Sequence, residues 1–495
     1  MRSLTGNMID WKYQMTVWFL FCITLMVLLL GVYNSTLSNK SIFYAIVVSN
    51  ILLVGYLVLL RAISLGILIY LYSLTFLNYY WRFVVPGRWP DIDIPRMMFI
   101  FIWMVILVET MVGARKLLPR TSTETAMIVM VVGMFGIMLT VGTLNIRQFL
   151  NGYGIPFAMF VCAKNTFTSR KDLERFLLWL AVPLSIYFPV NQFFEHYRMT
   201  QFVFPTYILS PVIAGTQVDW GDRAMGAFLQ PVATGTAIVS IYILSMYRLS
   251  HIRGFLSMAT RLFITVATPI AIFFTYTRAV YLGYFAALMV YSMLSKRHRV
   301  LGILVIFALL ITVFANWSKV TSDDRTAGGM AAEETAAARL VLVSVSMKMF
   351  ADRPFVGVGF TNFTKYAPAY ARTVRSTMLG FKESWVGQQI NQHNYFLTVL
   401  TELGLVGFVP LVLIFYTLLR TLYKARFVEA ANYDSDFVVA VWGVWTVYLI
   451  NIFFIEPRFF EFMNALPYIF AGIVVGGYQR AMLQRESRIP EGERS

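Results

Sequence analysis

Apolar positions run along this chain in long unbroken stretches separated by short polar turns, a pattern of membrane-crossing helices rather than of half-buried surface helices. A helix needs about 20 apolar residues to cross a bilayer, and about 14 segments approach that length. They are 15–33, 41–60, 62–80, 97–113, 126–144, 152–167 and 176–194, then 226–247, 262–277, 279–294, 300–316, 395–419, 437–454 and 459–477. Pro156 and Lys164 interrupt the sixth, which reads as a short or re-entrant helix. The twelfth is long enough to begin as a helix at the interface. The pattern predicts an all-α, polytopic transmembrane bundle of about 12 to 14 spans. No leader with a cleavage site precedes the first segment, so it reads as a retained helix.

Lys and Arg concentrate in the short connections 114–125, 168–175, 248–261, 295–299 and 420–436 and in the tail after Tyr478. Short basic loops mark the cytoplasmic side, which places both termini there. The two longest connections, 195–225 and 318–392, then face outward. Loops beyond about 15 residues in a compact protein are usually functional or disordered. The second is not disordered in pattern: 331–350 is a strong helix former with an apolar stripe, and a turn with Pro354, Gly357 and Gly359 follows it. We divide the chain into N-terminal transmembrane helices (1–194), further helices with the first external loop (195–316), a large external loop with an amphipathic helix (317–393), C-terminal transmembrane helices (394–478) and a cytoplasmic tail (479–495).

Composition removes whole classes. Hydrophobic residues make up 58% of the 495 and charged residues 13%, against about 25% charged in soluble domains. A net charge of +16 is therefore a topology signal rather than a nucleic-acid footprint. Cys22 and Cys162 lie in apolar stretches and read as two buried thiols.

Four ionisable residues fall within or beside the spans: Glu109, Lys164, Glu402 and Glu461. Glu109 and Lys164 are expected to snorkel to a nearby interface, so an ion relay has no support. The outward side carries more chemistry. Arg223, Arg278, Arg339 and Arg353 all sit at span or helix boundaries, and His393 stands with Asn394 at the mouth of the twelfth span. Planar guanidinium forks suit phosphate oxygens, which makes a diphosphate an apt ligand. Each arginine taken alone would equally anchor to lipid phosphates, and the Gly357-x-Gly359 turn alone reads as a plain tight turn. The acidic pairs Asp91 with Asp93 and Asp323 with Asp324 lack histidine neighbours and read as loop caps or solvated charges, so no metal is expected.

Read in order, these motifs resemble the O-antigen ligase and O-antigen polymerase superfamily. They are Arg223-x-x-Gly226-x-Phe228, Thr277 before Arg278 (the family more often has Ser there), Arg339 on a loop helix, Pro354-x-x-Gly357-x-Gly359, His393-Asn394, and Glu402-x-Gly404-x-x-Gly407. The resemblance covers roughly residues 223 to 407. It implies a membrane glycosyltransferase of the inner membrane, with its active site on the periplasmic face and no cofactor. The donor would be an oligosaccharide linked through diphosphate to undecaprenol. Arg223, Arg278, Arg339 and Arg353 would bind that diphosphate, and His393 would serve as general base. Glu402 would either orient His393 or cap a helix, and Gly357, Gly359 and Asn394 would support the loop. Attack opposite the diphosphate inverts the anomeric centre. A polymerase of cell-surface polysaccharide fits the many spans. The alternative is a ligase that transfers the glycan to lipid A-core or to protein. Expected partners are the donor, a lipid-linked glycan or lipid A-core acceptor, membrane lipid, and flippase and chain-length regulator proteins, with no nucleic acid. A lipid-linked oligosaccharide flippase or transporter is a more distant reading, since it calls for charges lining a central cavity.

Overall fold

In hydrocarbon only the chain itself can satisfy its backbone N–H and C=O groups, so long apolar runs become helices. The computed structural model describes residues 63–78, 82–83, 92–141, 144–209, 223–295, 297, 299–315, 333–375 and 392–487. The predicted segments 15–33 and 41–60, with Cys22, Asp91, Asp323, Asp324 and the end of the tail, lie outside these residues. Every other predicted segment falls on a helix. In chain order these are α1 (Ile63–Phe76), α2 (Ile94–Met111), α3 (Ser122–Thr140), α4 (Ile155–Thr166), α5 (Arg170–His196), α6 (Pro231–Ser250) and α7 (Phe255–Phe273). Then come α8 (Arg278–Leu294), α9 (Arg299–Ala315), α10 (Glu333–Asp352), α11 (Phe363–Arg375), α12 (Tyr395–Ala425), α13 (Ser435–Asn451) and α14 (Glu461–Glu486). Among the described residues, six helices (α2, α3, α5, α6, α7 and α12) are long and apolar enough to cross a membrane, and α1, α8 and α13 are shorter apolar helices. Among the described residues the fold is all-helical but for a two-residue antiparallel pair, Arg82–Phe83 with Ile92–Asp93, and one isolated bridge, Ala430 with Tyr433.

Burial separates the inner helices from the lipid-facing ones. The spanning stretch of α6 is 94% buried, that of α7 only 28%. The difference is written in the side chains. Ala233, Thr234, Gly235, Thr236 and Ala237 keep α6 slim, and a Cβ on Gly235 would lie 2.4 Å from Val280 of α8. Small residues let helix backbones approach where lipid tails supply no hydrophobic drive. On α7, Leu262, Val266, Ile270 and Phe273 are exposed and face outward as a helical stripe.

The sixth segment is extended at its start. Its helix α4 is short, 12 residues, but a helical turn, Ile146–Phe149, and a π-turn, Leu150–Gly154, lead directly into it, with Pro156 harmless in its first turn. Near the π-turn, the carbonyls of Asn151 and Gly152 accept bonds from Asn464 Nδ2 at 3.2 and 2.9 Å. Farther along, Cβ atoms on Gly472 and Gly476 would meet the carbonyls of Phe160 and Lys164. Both numberings rise together, so α4 and α14 run parallel and start at the same end of the bundle.

The four ionisable residues of the spans are all paired. Glu109 holds Arg115 at 2.6 Å, Lys164 holds Glu124 at 2.6 Å, Glu461 holds Arg96 at 2.8 Å and Glu402 holds Arg458 at 2.6 Å. The snorkelling expected of Glu109 and Lys164 is thus corrected. The Lys164 side chain has no exposed surface, and its ammonium also donates to the Pro119 carbonyl at 2.8 Å. Asp93 caps α2 through the Arg96 N–H at 2.9 Å and pairs with the Arg96 guanidinium. In the long loop, α10 and α11 enclose a small apolar cluster of their own, Val341, Val345, Met349, Val358, Phe363, Ala371 and Val374.

Candidate active site

A break in α12 organises the end of the bundle at which α4 and α14 start. Gly404 has φ 58° and ψ −155°, far from helix. A helix interrupted there strands the carbonyls of Thr401 and Glu402 and the N–H groups of Leu405 and Val406. The turn after α10 meets all four. Val358 N–H donates to Thr401 O at 2.9 Å and Gly359 N–H to Glu402 O at 3.0 Å. In return Leu405 N–H donates to Pro354 O at 2.8 Å and Val406 N–H to Phe355 O at 3.0 Å. The backbones are so close that a Cβ on Gly357 would lie 2.5 Å from Thr401 O, and one on Gly404 2.4 Å from Phe355 O. The Pro-x-x-Gly-x-Gly and Glu-x-Gly motifs are therefore two halves of one joint.

Glu402 locks that joint. Its buried carboxylate accepts the Thr361 N–H at 2.9 Å and the Phe363 N–H, at the start of α11, at 3.4 Å. It also takes both terminal nitrogens of Arg458, at 2.6 and 3.3 Å. These bonds occupy both oxygens, so the carboxylate holds the loop and caps α11 rather than steering the His393 ring. Arg458 itself is 4% exposed, forms a second ion pair with Glu456, and lies over the rings of Phe360 and Phe459 at 5.5 and 5.2 Å. Burial pushes the Glu456 carboxyl up to about 8; Arg458 pulls against that rise and Glu402 adds to it. The motif reading passes over Arg458 and Glu456. Their signal is Glu456-Pro457-Arg458, two charges in a tight turn between two apolar runs.

His393 is seated by its neighbours. Asn394 caps α12 by accepting the Leu397 N–H at 3.0 Å, and Gln392 donates to Ser346 Oγ of α10 at 3.0 Å. Between them His393 is held at φ 50°, a left-handed conformation that costs a side-chain-bearing residue about 1–2 kcal/mol. Arg339 lies two turns before Ser346 on α10, its guanidinium 5.2 Å from the Phe454 ring. His393 keeps an exposed surface. Even so, desolvation by the surrounding chain, with the Arg339 charge beside it, pushes its imidazole below the usual histidine range. The ring is thus neutral at neutral pH, the form that accepts a proton.

Arg223 and Arg278 form a second group. Glu195, at the end of α5, accepts the Met225 and Gly226 N–H groups at 2.6 and 2.8 Å, and Ala224 N–H donates to Phe274 O at 3.0 Å. Arg223 is thereby pinned between the ends of α5 and α7. Its charge reaches Tyr281, which lies one turn from Arg278 on α8. The two groups share one end of the bundle. A Cβ on Gly283 of α8 would lie 3.1 Å from Asn451 of α13, and Phe454, which carries Arg339, follows three residues later. Arg353 stands apart: 14 residues of α10 and its end separate it from Arg339, about 21 Å at 1.5 Å per residue. Among the described residues no three His, Cys, Asp or Glu side chains gather as a metal site.

An arginine beside a neutral imidazole, with two more at the same end of the bundle, can bind a polyanionic leaving group and take a proton beside it. No curated protein matches the chain. Residues 263–412 match the model of the O-antigen ligase family, a span that holds Arg278, Arg339, Arg353, His393 and Glu402, so the chain is a membrane protein carrying an O-antigen ligase family domain.

Proposed function

We propose that the chain is a metal-independent, inverting glycosyltransferase that polymerises undecaprenyl-diphosphate-linked repeat units into a cell-surface polysaccharide. The observation that carries this reading is the Arg339–His393 neighbourhood inside the family-matched span. His393 takes the proton of the acceptor hydroxyl, whose oxygen forms the new bond to the anomeric carbon. The bond to the diphosphate oxygen breaks, and undecaprenyl diphosphate leaves with the electron pair. Arg223, Arg278 and Arg339 bind its charge as it develops. Arg353 serves the outer approach, Asn394 and the Gly357–Gly359 turn fix His393 and the loop, and Glu402 is a positioning residue. In this reading the chain has about 14 spans (12 to 14) in the inner membrane, with both termini cytoplasmic and the domain limits given above.

A second reading, ligation to lipid A-core or protein, is favoured by the description of the matched family. Purified protein with a defined undecaprenyl-diphosphate repeat unit as sole substrate separates them. A ladder of products supports the polymerase. Product that appears only after lipid A-core is added makes it a ligase, and no transfer in either case removes both.

A further inference from the structure

Beside the Glu402–Arg458 pair, under the start of α11, lies a cavity of about 60 Å³. A water needs about 10–15 Å³ of such volume, so several hydroxyl-sized groups fit. Glu456 and Gln148 line it. Both Glu456 carboxylate oxygens and Gln148 Oε1 are shut off from solvent and accept no hydrogen bond, although Glu456 touches Arg458 Nε. A dry acceptor left unmet is costly: Glu456 Oε1 has the Arg458 guanidinium beside it, but Glu456 Oε2 and Gln148 Oε1 both ask for a ligand that brings donors. Thr361 also lines the cavity and is held at φ 64°, an outlier for a β-branched residue of the kind that collects at functional sites.

The mouth is chemically different from the floor. Phe459, 36% exposed, and the exposed Thr364 form it. An aromatic face receives C–H groups, whose positive edge suits its quadrupole. Donor-rich below and apolar at one face describes the edge of a sugar ring. An anionic edge would meet the Glu402 carboxylate, which already claims both terminal nitrogens of Arg458. Gln392, another lining residue, immediately precedes His393, so a group seated here lies next to the imidazole.

We propose that this cavity is the acceptor subsite, seating the hydroxyl-bearing edge of a neutral sugar, with Glu456 and Gln148 accepting its hydrogen bonds and Phe459 stacking on its apolar face. The proposal rests on the glycosyl-transfer reading above and names the half of the reaction which the arginines do not serve.

The test uses purified full-length protein, an undecaprenyl-diphosphate repeat unit as donor, and a soluble acceptor: the methyl glycoside of the repeat unit or the core oligosaccharide, whichever the wild type accepts. Phe459→Ala and Gln148→Leu should each raise the acceptor KM roughly tenfold, the worth of one good contact. Neither should change kcat or the binding of undecaprenyl diphosphate alone, and Phe459→Tyr should retain the wild-type KM. Glu456→Gln should raise the acceptor KM severalfold; Phe459, at the surface, keeps the test informative if that buried change unfolds the protein. An unchanged acceptor KM in Phe459→Ala and Gln148→Leu, with an active wild type, would overturn the subsite and leave the reaction standing. A wild type that transfers to no acceptor overturns the reaction itself.

Discussion

Apart from the buried pairs of Arg96 and Arg458, the arginines at the two ends of the bundle are used differently. Where α4, α6 and α8 finish, arginines close helices. Arg115 donates to Asn165 O at 2.8 Å, Arg480 to Lys164 O at 3.2 Å and to Phe167 O, Arg426 to Leu294 O at 3.0 Å, and Arg297 to Ser250 O. Each meets the last carbonyls of a helix, the negative pole of its dipole, an arrangement worth about 0.3–1 kcal/mol. Where the same helices begin, Arg278 is the first residue of α8, at the positive pole that disfavours a cation by a similar amount. Arg339 lies over the Phe454 ring and beside a neutral histidine. One set closes helix ends; of the other, Arg278 opens a helix and Arg339 lies beside the histidine whose protonation it opposes, positions that suit an anion.

The comparison breaks most visibly at the imidazole. His393→Ala should cut product formation by about 10²–10⁴-fold, the usual share of a general base, with the protein still in the membrane at wild-type level. Normal polymer from that variant would end the base assignment. Next in size is Arg458→Ala, which leaves Glu402 and Glu456 buried without their cation and should destabilise by about 3–5 kcal/mol, read as a lower melting temperature. A melting temperature equal to wild type would mean that water reaches the pair. Lysine substitution then compares the two ends directly. Arg278→Lys should lose about 10-fold or more in activity, because a point charge replaces a bidentate fork. Arg426→Lys should stay within about 2-fold, since a carbonyl cap accepts either cation. Equal losses would erase the distinction.

Much of this was legible in the sequence, for a physical reason. Apolar runs of spanning length leave a chain one solution in lipid, which is why segments such as 395–419 and 437–454 fall on α12 and α13. Motif order found Glu402, Gly404, Gly357 and Gly359 but not that they form one joint, because the joint is made by backbone groups that any residue carries. Lys164 misled for a related reason: hydropathy marks it as a charge to be carried to water, whereas Glu124, 40 residues away, waits beside it. Arg458 was silent because its partners, Glu402 and Glu456, meet it only once α12 and the α13–α14 turn are packed. Long-range pairs of single charges leave no local pattern.

Glu456 sharpens the comparison through stability. Its carboxyl is raised from 4.5 to about 8, so between those values the folded chain binds more protons than the unfolded one. The stability that this group contributes is therefore full below about 4.5 and is lost as pH rises through about 8. Glu456→Gln should flatten that decline and melt above the wild type at pH 8.5. Parallel melting curves against pH for the two proteins would show that Glu456 ionises normally in the fold.

The smallest effect tests whether Arg339 and His393 act together. A base must be neutral to work, so the rate should rise with pH through a value below 6.5 and be flat at neutrality, because desolvation and Arg339 both hold the imidazole down. Arg339→Gln removes the cation but not the desolvation. The acid limb should move up, because one of the two causes is gone, and still lie below 6.5, because desolvation, the larger cause, remains. Arg339→Lys keeps the charge and should leave the limb where it was, even as it weakens diphosphate binding and lowers the rate. The two substitutions thus separate the electrostatic role of Arg339 from its role as a fork. If Gln and Lys shift the limb alike, or neither shifts it, the titrating group is not a histidine that feels Arg339, and the base lies elsewhere at this end of the bundle.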